Sequence, residues 1–318
     1  MRIRTRQAQI SIHDSGGDGF PLLLLHGAGA AKDVFVQQFE SAIAQQFRVI
    51  ALDLPGHGDS SDAHDPTQGY TVGGYAGAVS EAMAALGVRR AAVYGWSLGG
   101  HIAIELLGST DLVAGLMLTG APPVGRGPIA MLRGFHTSWD MLLASKDHFN
   151  ERDVDRFAAL CFEDAAEPAF RAAIERADGR SRPVFQRSMM RGDGVDQRLT
   201  VEATTVPIGI VNGQREPFAR LGYFPTLSYR SLWRDTCFVI SGAGHAPLGE
   251  TLSKRRETGL GCAENAEQWQ VGMAGNGVID SDAGIGGSGD DIATRIAGGE
   301  DQERRDEEDG AGNGYCVD

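Results

Sequence analysis

Ser97 stands in GWSLGG (95–100), between the apolar run RRAAVY and the segment HIAIELL. A serine hydroxyl is a poor nucleophile until a histidine accepts its proton and a carboxylate fixes that histidine's tautomer. The chain offers both, further on. Glu216 lies in VPIGIVNGQREPF and His245 in SGAGHAP, each just beyond an apolar run with the look of a buried strand. Gly95-Trp96-Ser97-Leu98-Gly99 is the G-x-S-x-G nucleophile elbow, in which flanking glycines permit a tight strand-to-helix turn that exposes Oγ. The order nucleophile, acid, base is the one that goes with this elbow.

A plainer reading makes Ser97 a turn residue capping a helix and Glu216 an exposed loop residue, since aspartate is more usual at that point. No aspartate competes with Glu216: Asp196 precedes its strand and Asp235 precedes the last one, both at the wrong sheet edge if the strands are parallel. Of the other histidines, His26 and His57 sit in turn motifs, His101 in a helical pattern, and His13, His64, His136 and His148 in loops or on surfaces. An oxyanion formed at an attacked carbonyl needs two fixed N–H donors. The elbow supplies the Leu98 amide, and the His26-Gly27 turn makes the Ala28 amide the candidate for the second.

These residues need a scaffold that brings distant loops to one edge. PLLLLHG and RVIALDLPGHG read as strands buried on both faces, separated by a helical pattern through Val34, Phe35, Phe39, Ile43 and Phe47 with Asp33 as a candidate cap. Helix and strand alternate again in YAGAVSEAMAALG, closed by Gly87, RRAAVYG, HIAIELLG, closed by Gly108, and AGLMLTG. Such alternation predicts an α/β fold with a mostly parallel sheet and helices on both faces. From APPVGRGP to TTVPIGIVNG the helices follow one another, as in NERDVDRFAALCF, where Asn150 can cap and Val154, Phe157, Leu160 and Cys161 share a face. The expected division is a core of residues 1–124 and 201–253, a helical cap of residues 125–200, and a tail of residues 254–318.

Charge narrows the function classes. Residues 250–318 hold six Lys or Arg against sixteen Asp or Glu, so −10 of the chain's −13 lies there and the body is nearly neutral. No basic nucleic-acid surface follows from that balance. Cys161, Cys237, Cys262 and Cys316 are scattered without ligand spacing, which gives neither a disulfide framework nor a metal site. There is no apolar leader and no stretch of membrane-spanning length, so the expectation is a soluble cytoplasmic protein acting on a small molecule, without membrane partner or cofactor.

LLLLHGAG, VIALDLPGHGDS, VYGWSLGGHIAIELL, LMLTGAPPV, IVNGQREPF and GAGHAP together resemble the α/β-hydrolase superfamily, in order from about residue 20 to 248. More narrowly, GWSLGGHIAIE, LMLTGAPPV, FNERDV, ADGRSR and VNGQREPF resemble the α/β-hydrolase type of N-acyl-homoserine lactone hydrolase, a cofactor-free, quorum-quenching lactonase. That resemblance implies a glutamate as the acid of the triad, which matches Glu216. It also shows two departures: Ala28 replaces a polar Asn, and Phe157 replaces a Tyr of the cap, so the pocket is more apolar here. Trp96, Phe157 and Leu160 are the residues expected to bind substrate.

The resemblance implies a serine hydrolase of esters or lactones working through an acyl-enzyme. A carbon–carbon bond hydrolase or cofactor-free haloperoxidase would use the same site, and a non-catalytic receptor would betray itself by a missing triad member; none is missing. From about Lys254 the chain turns to glycine and acid, a composition that reads as disorder. A solvating tail and a changed reading frame both account for it.

Overall fold

The computed structural model describes residues 1–163 and 168–247. The 254–318 tail, and the end of the expected core beyond residue 247, lie outside the described residues. Eight strands form one sheet in the order β1-β2-β4-β3-β5-β6-β7-β8. They are β1 (Arg2–Arg4), β2 (Gln9–Asp14), β3 (Phe20–Leu25), β4 (Phe47–Leu52), β5 (Ala91–Trp96), β6 (Val113–Thr119), β7 (Ile208–Gly213) and β8 (Leu232–Ile240). β1 and β2 pair antiparallel at one edge, and every pairing from β4 through β8 is parallel.

The continuous apolar runs reflect burial of both sheet faces. Along β3, Leu23 and Leu25 point into one core layer and Leu22 and Leu24 into the other. The first layer also holds Tyr75, Val79 and Met83 of α1 (Val72–Ala85) and Ile102 and Leu106 of α2 (Leu98–Ser109). The second holds Phe35, Tyr94 and Trp96.

Between β6 and β7 the chain forms α3 (Pro128–Gly134), α4 (Glu151–Phe162), α5 (Pro168–Arg176), α6 (Ser181–Arg191) and α7 (Gln197–Ala203). Asn150 caps α4 in a reciprocal capping box with Asp153. Val154, Phe157, Ala158, Cys161 and Phe162 are its buried face, packed into the second layer. α4 therefore lies on the same core layer as Trp96.

Three local expectations differ from the structure. The helix expected across residues 33–47 is a 3-10 turn, Lys32–Phe35, and two short helical turns, Val36–Phe39 and Ile43–Gln46, with Ala31 rather than Asp33 at the cap position. Ser41 breaks it, its hydroxyl donating to Gln38 O and accepting from Ile43 N, a local bond that competes with the helical ladder. Gly108 lies inside the last turn of α2, which runs to Ser109 with Thr110 as its C-cap. β8 begins earlier than expected, so Asp235 lies within it, exposed and at positive φ beside Arg234.

Candidate active site

The candidate residues all follow the carboxyl ends of parallel strands, where open α/β sheets gather their binding loops. Gly27 and Ala28 follow β3, Ser97 follows β5, Gly120 follows β6, Glu216 follows β7 and His245 follows β8. β5 and β6 are registered with Trp96 opposite Thr119, and Ser97 N donates to Thr119 O at 2.8 Å. Ser97 itself has φ 53 and ψ −116. A non-glycine residue there carries strain of about 1–3 kcal/mol.

The elbow is held by close packing rather than by side-chain bonds. A Cβ on Gly95 would stand 2.6 Å from Gly100 Cα, and one on Gly99 would collide with Leu25 O. α2 can thus start directly against β3 and β5. Its first turn leaves the Leu98 N–H without an intrahelical acceptor, next to the serine.

His245 is 2% exposed, and its Nδ1 lies 2.7 Å from Glu216 Oε2. The other carboxylate oxygen, Oε1, accepts from Phe218 N at 2.8 Å and Ala219 N at 3.1 Å. Burial alone would raise the Glu216 pKa, but His245 and the two amides outweigh it and hold the carboxyl below its ordinary value. A charged acceptor at Nδ1 fixes the proton on that nitrogen and leaves Nε2 with a free lone pair that could accept a proton. The histidine loop is fixed in turn: Trp96 Nε1 donates to His245 O at 2.8 Å, and Phe218 meets the imidazole edge-on at 4.7 Å.

Behind the β3 loop, His26 is fully buried, its Nδ1 bonded to Gly27 O at 2.8 Å and its Nε2 accepting from Leu54 N at 3.0 Å. Burial lowers its pKa, so the ring is a neutral brace for the turn that presents Ala28. Asp53 ties the same loop to the next one by accepting from Lys32 N, Lys32 Nζ and Asp59 N.

A cavity of about 130 Å³ opens on this edge. Ala28, Trp96, Ser97, Leu98, Phe157 and His245 all line it; Glu216 stands behind His245, outside the lining. Leu160 does not line it: half-buried, it packs against the second core layer. Trp96 holds the histidine loop as well as facing the cavity. Sequence reasoning missed Gly120, Phe218 and Asn212, whose Oδ1 accepts from Gly120 N at 2.8 Å. Asn212 and Phe218 lie in the quoted IVNGQREPF, but nothing in that string says which atoms they hold. Among the described residues no group of three or more His, Cys, Asp or Glu is placed to hold a metal, and no helix is long and apolar enough to cross a membrane.

Residues 21–250 match the sequence profile of the α/β hydrolase fold. A pimeloyl-[acyl-carrier protein] methyl ester esterase of Xanthomonas axonopodis pv. citri is 30% identical over 245 residues, which is 73% of this chain and 90% of that one. Among solved structures, a mutant of the N-acyl homoserine lactonase AidH complexed with N-hexanoyl homoserine lactone is 37% identical, with TM-score 0.78, covering 86% of this chain and 98% of that one. An esterase of Thermogutta terrifontis shares the fold at 19% identity and TM-score 0.66, over 85% of this chain and 98% of its own.

Proposed function

The chain belongs to the α/β hydrolase fold family, and from that membership we propose that it hydrolyses carboxylic esters or lactones through a Ser97–His245–Glu216 triad. The observation that carries this reading is the 2.7 Å bond from His245 Nδ1 to the buried Glu216 carboxylate, which leaves Nε2 to take the serine proton. Ser97 Oγ attacks the carbonyl carbon while Nε2 accepts its proton. The tetrahedral oxyanion is held by the Ala28 and Leu98 amides. Collapse breaks the acyl–oxygen bond, and the imidazolium returns the proton to the leaving alkoxide. Water, deprotonated by the same nitrogen, then attacks the acyl-enzyme and releases the acid and free Ser97. In a lactone the leaving alkoxide remains tethered, so the product is one hydroxy acid.

Within this class, ring opening of N-acyl homoserine lactones is the narrower reading. It is supported by the likeness to the AidH lactonase over nearly its whole length and by the cavity that Phe157 and Phe218 wall for an acyl chain. The esterase relative supports the broader class. The test is acid release from a panel of N-acyl homoserine lactones, simple lactones and alkyl esters, with wild type beside Ser97→Ala. Turnover by wild type alone is expected. Substantial hydrolysis by purified Ser97→Ala overturns the mechanism, and turnover of esters without lactones overturns the narrower reading.

A further inference from the structure

The cavity wall carries a buried cation with no counter-ion among the described residues. Arg182, in the first turn of α6, lines the cavity and is 6% exposed. Nε donates to Lys146 O at 2.7 Å and Nη2 to Asp147 O at 3.2 Å, while the guanidinium carbon sits 3.8 Å over the Phe149 ring. Nη1 is buried and has no hydrogen-bond partner among the described residues. Both acceptors are main-chain carbonyls. Asp147, Asp178 and Asp153 are close enough to favour the charge, yet none forms an ion pair with it, and burial draws the guanidinium pKa below its ordinary value.

Two carbonyls can be satisfied by a neutral donor, so they do not account for a guanidinium here. Burying one is costly unless it is compensated, and an unmade donor adds to that cost. Tyr75 lies on the same cavity. It is 0% exposed, and its hydroxyl approaches Ser181 without completing a hydrogen bond. Burial holds that phenol protonated, a donor like Nη1. Elsewhere the lining includes Met131, Phe135, Phe157, Phe185 and Phe218. A plain alkyl chain would fill that space and leave both donors unanswered.

We propose that Arg182 and Tyr75 form a polar subsite for a second oxygen acceptor on the substrate, a ketone or carboxylate oxygen in the acyl part, distinct from the scissile carbonyl. The oxyanion amides come from the loops after β3 and β5, whereas the bonds of Arg182 run to the segment before α4, so the two sites are separately built. This subsite rests on reading the cavity as the acyl site of an ester or lactone hydrolase. It makes oxygen-bearing acyl chains, rather than plain alkyl ones, the preferred substrates.

The test measures kcat/KM of the full chain for para-nitrophenyl esters of hexanoic acid, of its oxo analogues, and of hexanedioic acid, with wild type, Arg182→Met and Tyr75→Phe. Wild type is expected to favour an oxygenated ester over hexanoate. Arg182→Met should cut that preference by roughly 10- to 100-fold, the worth of one hydrogen bond to a charged group, mainly through KM, and Arg182→Lys should restore part of it. A gain for oxo and dicarboxylic esters alike marks a general acceptor site, and a gain for hexanedioate alone marks a carboxylate site. Tyr75→Phe removes one buried oxygen and should lower the preference even if Arg182→Met does not fold. No preference in wild type, or equal losses on all esters, overturns the subsite and leaves Arg182 a strut. If wild type cleaves none of the esters, the hydrolase reading fails by itself. Calorimetry then decides the subsite: hexanedioate binding tighter than hexanoate in wild type but not in Arg182→Met sustains it, and equal binding overturns it.

Discussion

A Cβ placed on Gly120 would stand 2.5 Å from His245 Cε1 and 2.8 Å from its Nδ1. The imidazole lies in the space where a side chain after β6 would otherwise be, and Gly120 also has φ +63, a conformation that other residues adopt at a cost of about 1–2 kcal/mol. Gly120→Ala should therefore push the ring from its bond to Glu216 and cost on the order of 10²-fold in kcat/KM, as displacements of about 1 Å do. Circular dichroism should show the fold retained. Unchanged kinetics would mean that the histidine loop can yield without harm.

Ser97 stores strain that the proposed mechanism uses and stability does not. Replacing it with glycine relieves the positive φ of 53, about 1–3 kcal/mol, against about 0.5–1 kcal/mol for the added freedom of the unfolded chain. Ser97→Gly should therefore raise the melting temperature by about 2–4 °C while abolishing hydrolysis. Combining it with His245→Ala should cost little more activity than either change alone if the two act as the proposed nucleophile and base, since such a pair works as a unit. A lowered melting temperature for Ser97→Gly would show that the elbow is unstrained.

Glu216→Gln keeps the acceptor for Phe218 N and Ala219 N but turns an NH₂ group toward Nδ1, which favours the wrong histidine tautomer. Activity should fall by roughly 10²- to 10⁴-fold, less than on loss of Ser97. The pKa of Glu216 is lowered from 4.5 in the folded state. Its contribution is thus fully present above pH 4.5 and is lost as pH falls through the folded value. Urea midpoints of wild type should drop over that acid window, and those of Glu216→Gln should drop less. Parallel curves would remove Glu216 from the acid sensitivity.

The pieces of this site that are legible in sequence are those where a residue type is chemically required. Ser97 between glycines, a glutamate after one strand and a histidine after the next are visible because strand-loop order fixes which sheet edge they reach. Gly120 and Asn212 escape notice because their work is to leave space and to orient an amide, roles with no signature in a short string. Leu160 shows the limit of periodicity: a three- and four-residue spacing gives the face of α4 but not how far along it the cavity extends. Ser41 marks another limit, since one hydroxyl bonding locally undid a helix that the apolar spacing implied. Arg182 reads as an ordinary charged residue until its burial is known.

Phe157 is both wall and core. It is 4% exposed, lines the cavity, and contacts Phe149 and Phe218 at ring distances of 5.5 and 6.4 Å. Phe157→Ala should cost about 3–5 kcal/mol of stability and shift preference toward longer or bulkier acyl groups. Phe157→Leu, a smaller loss of volume, should show the same shift with less destabilisation. Loss by an equal factor on every chain length would make Phe157 a packing residue only.

Three buried neutral histidines give the protein an early acid limit. Burial lowers His57 from 6.5 to about 3 and His101 from 6.5 to about 4, and lowers His26 as well. His57 and His101 do not take a proton in the folded chain near pH 6, and His26 takes one less readily than a free imidazole, whereas in the unfolded chain each does so below about 6.5. The unfolded state then binds more protons, so stability falls as pH drops. Each histidine contributes a slope of up to about 1.4 kcal/mol per pH unit between its unfolded and folded pKa. The loss should therefore begin below pH 6.5, well above the carboxylate range in which Glu216 acts. His101 offers the cleanest check, since its Nδ1 lies 2.8 Å from Gln197 Oε1. His101→Gln keeps a donor there but cannot titrate. Between pH 7 and 5 its melting temperature should decline less steeply than that of wild type; an identical slope would show that these histidines are protonated as readily folded as unfolded.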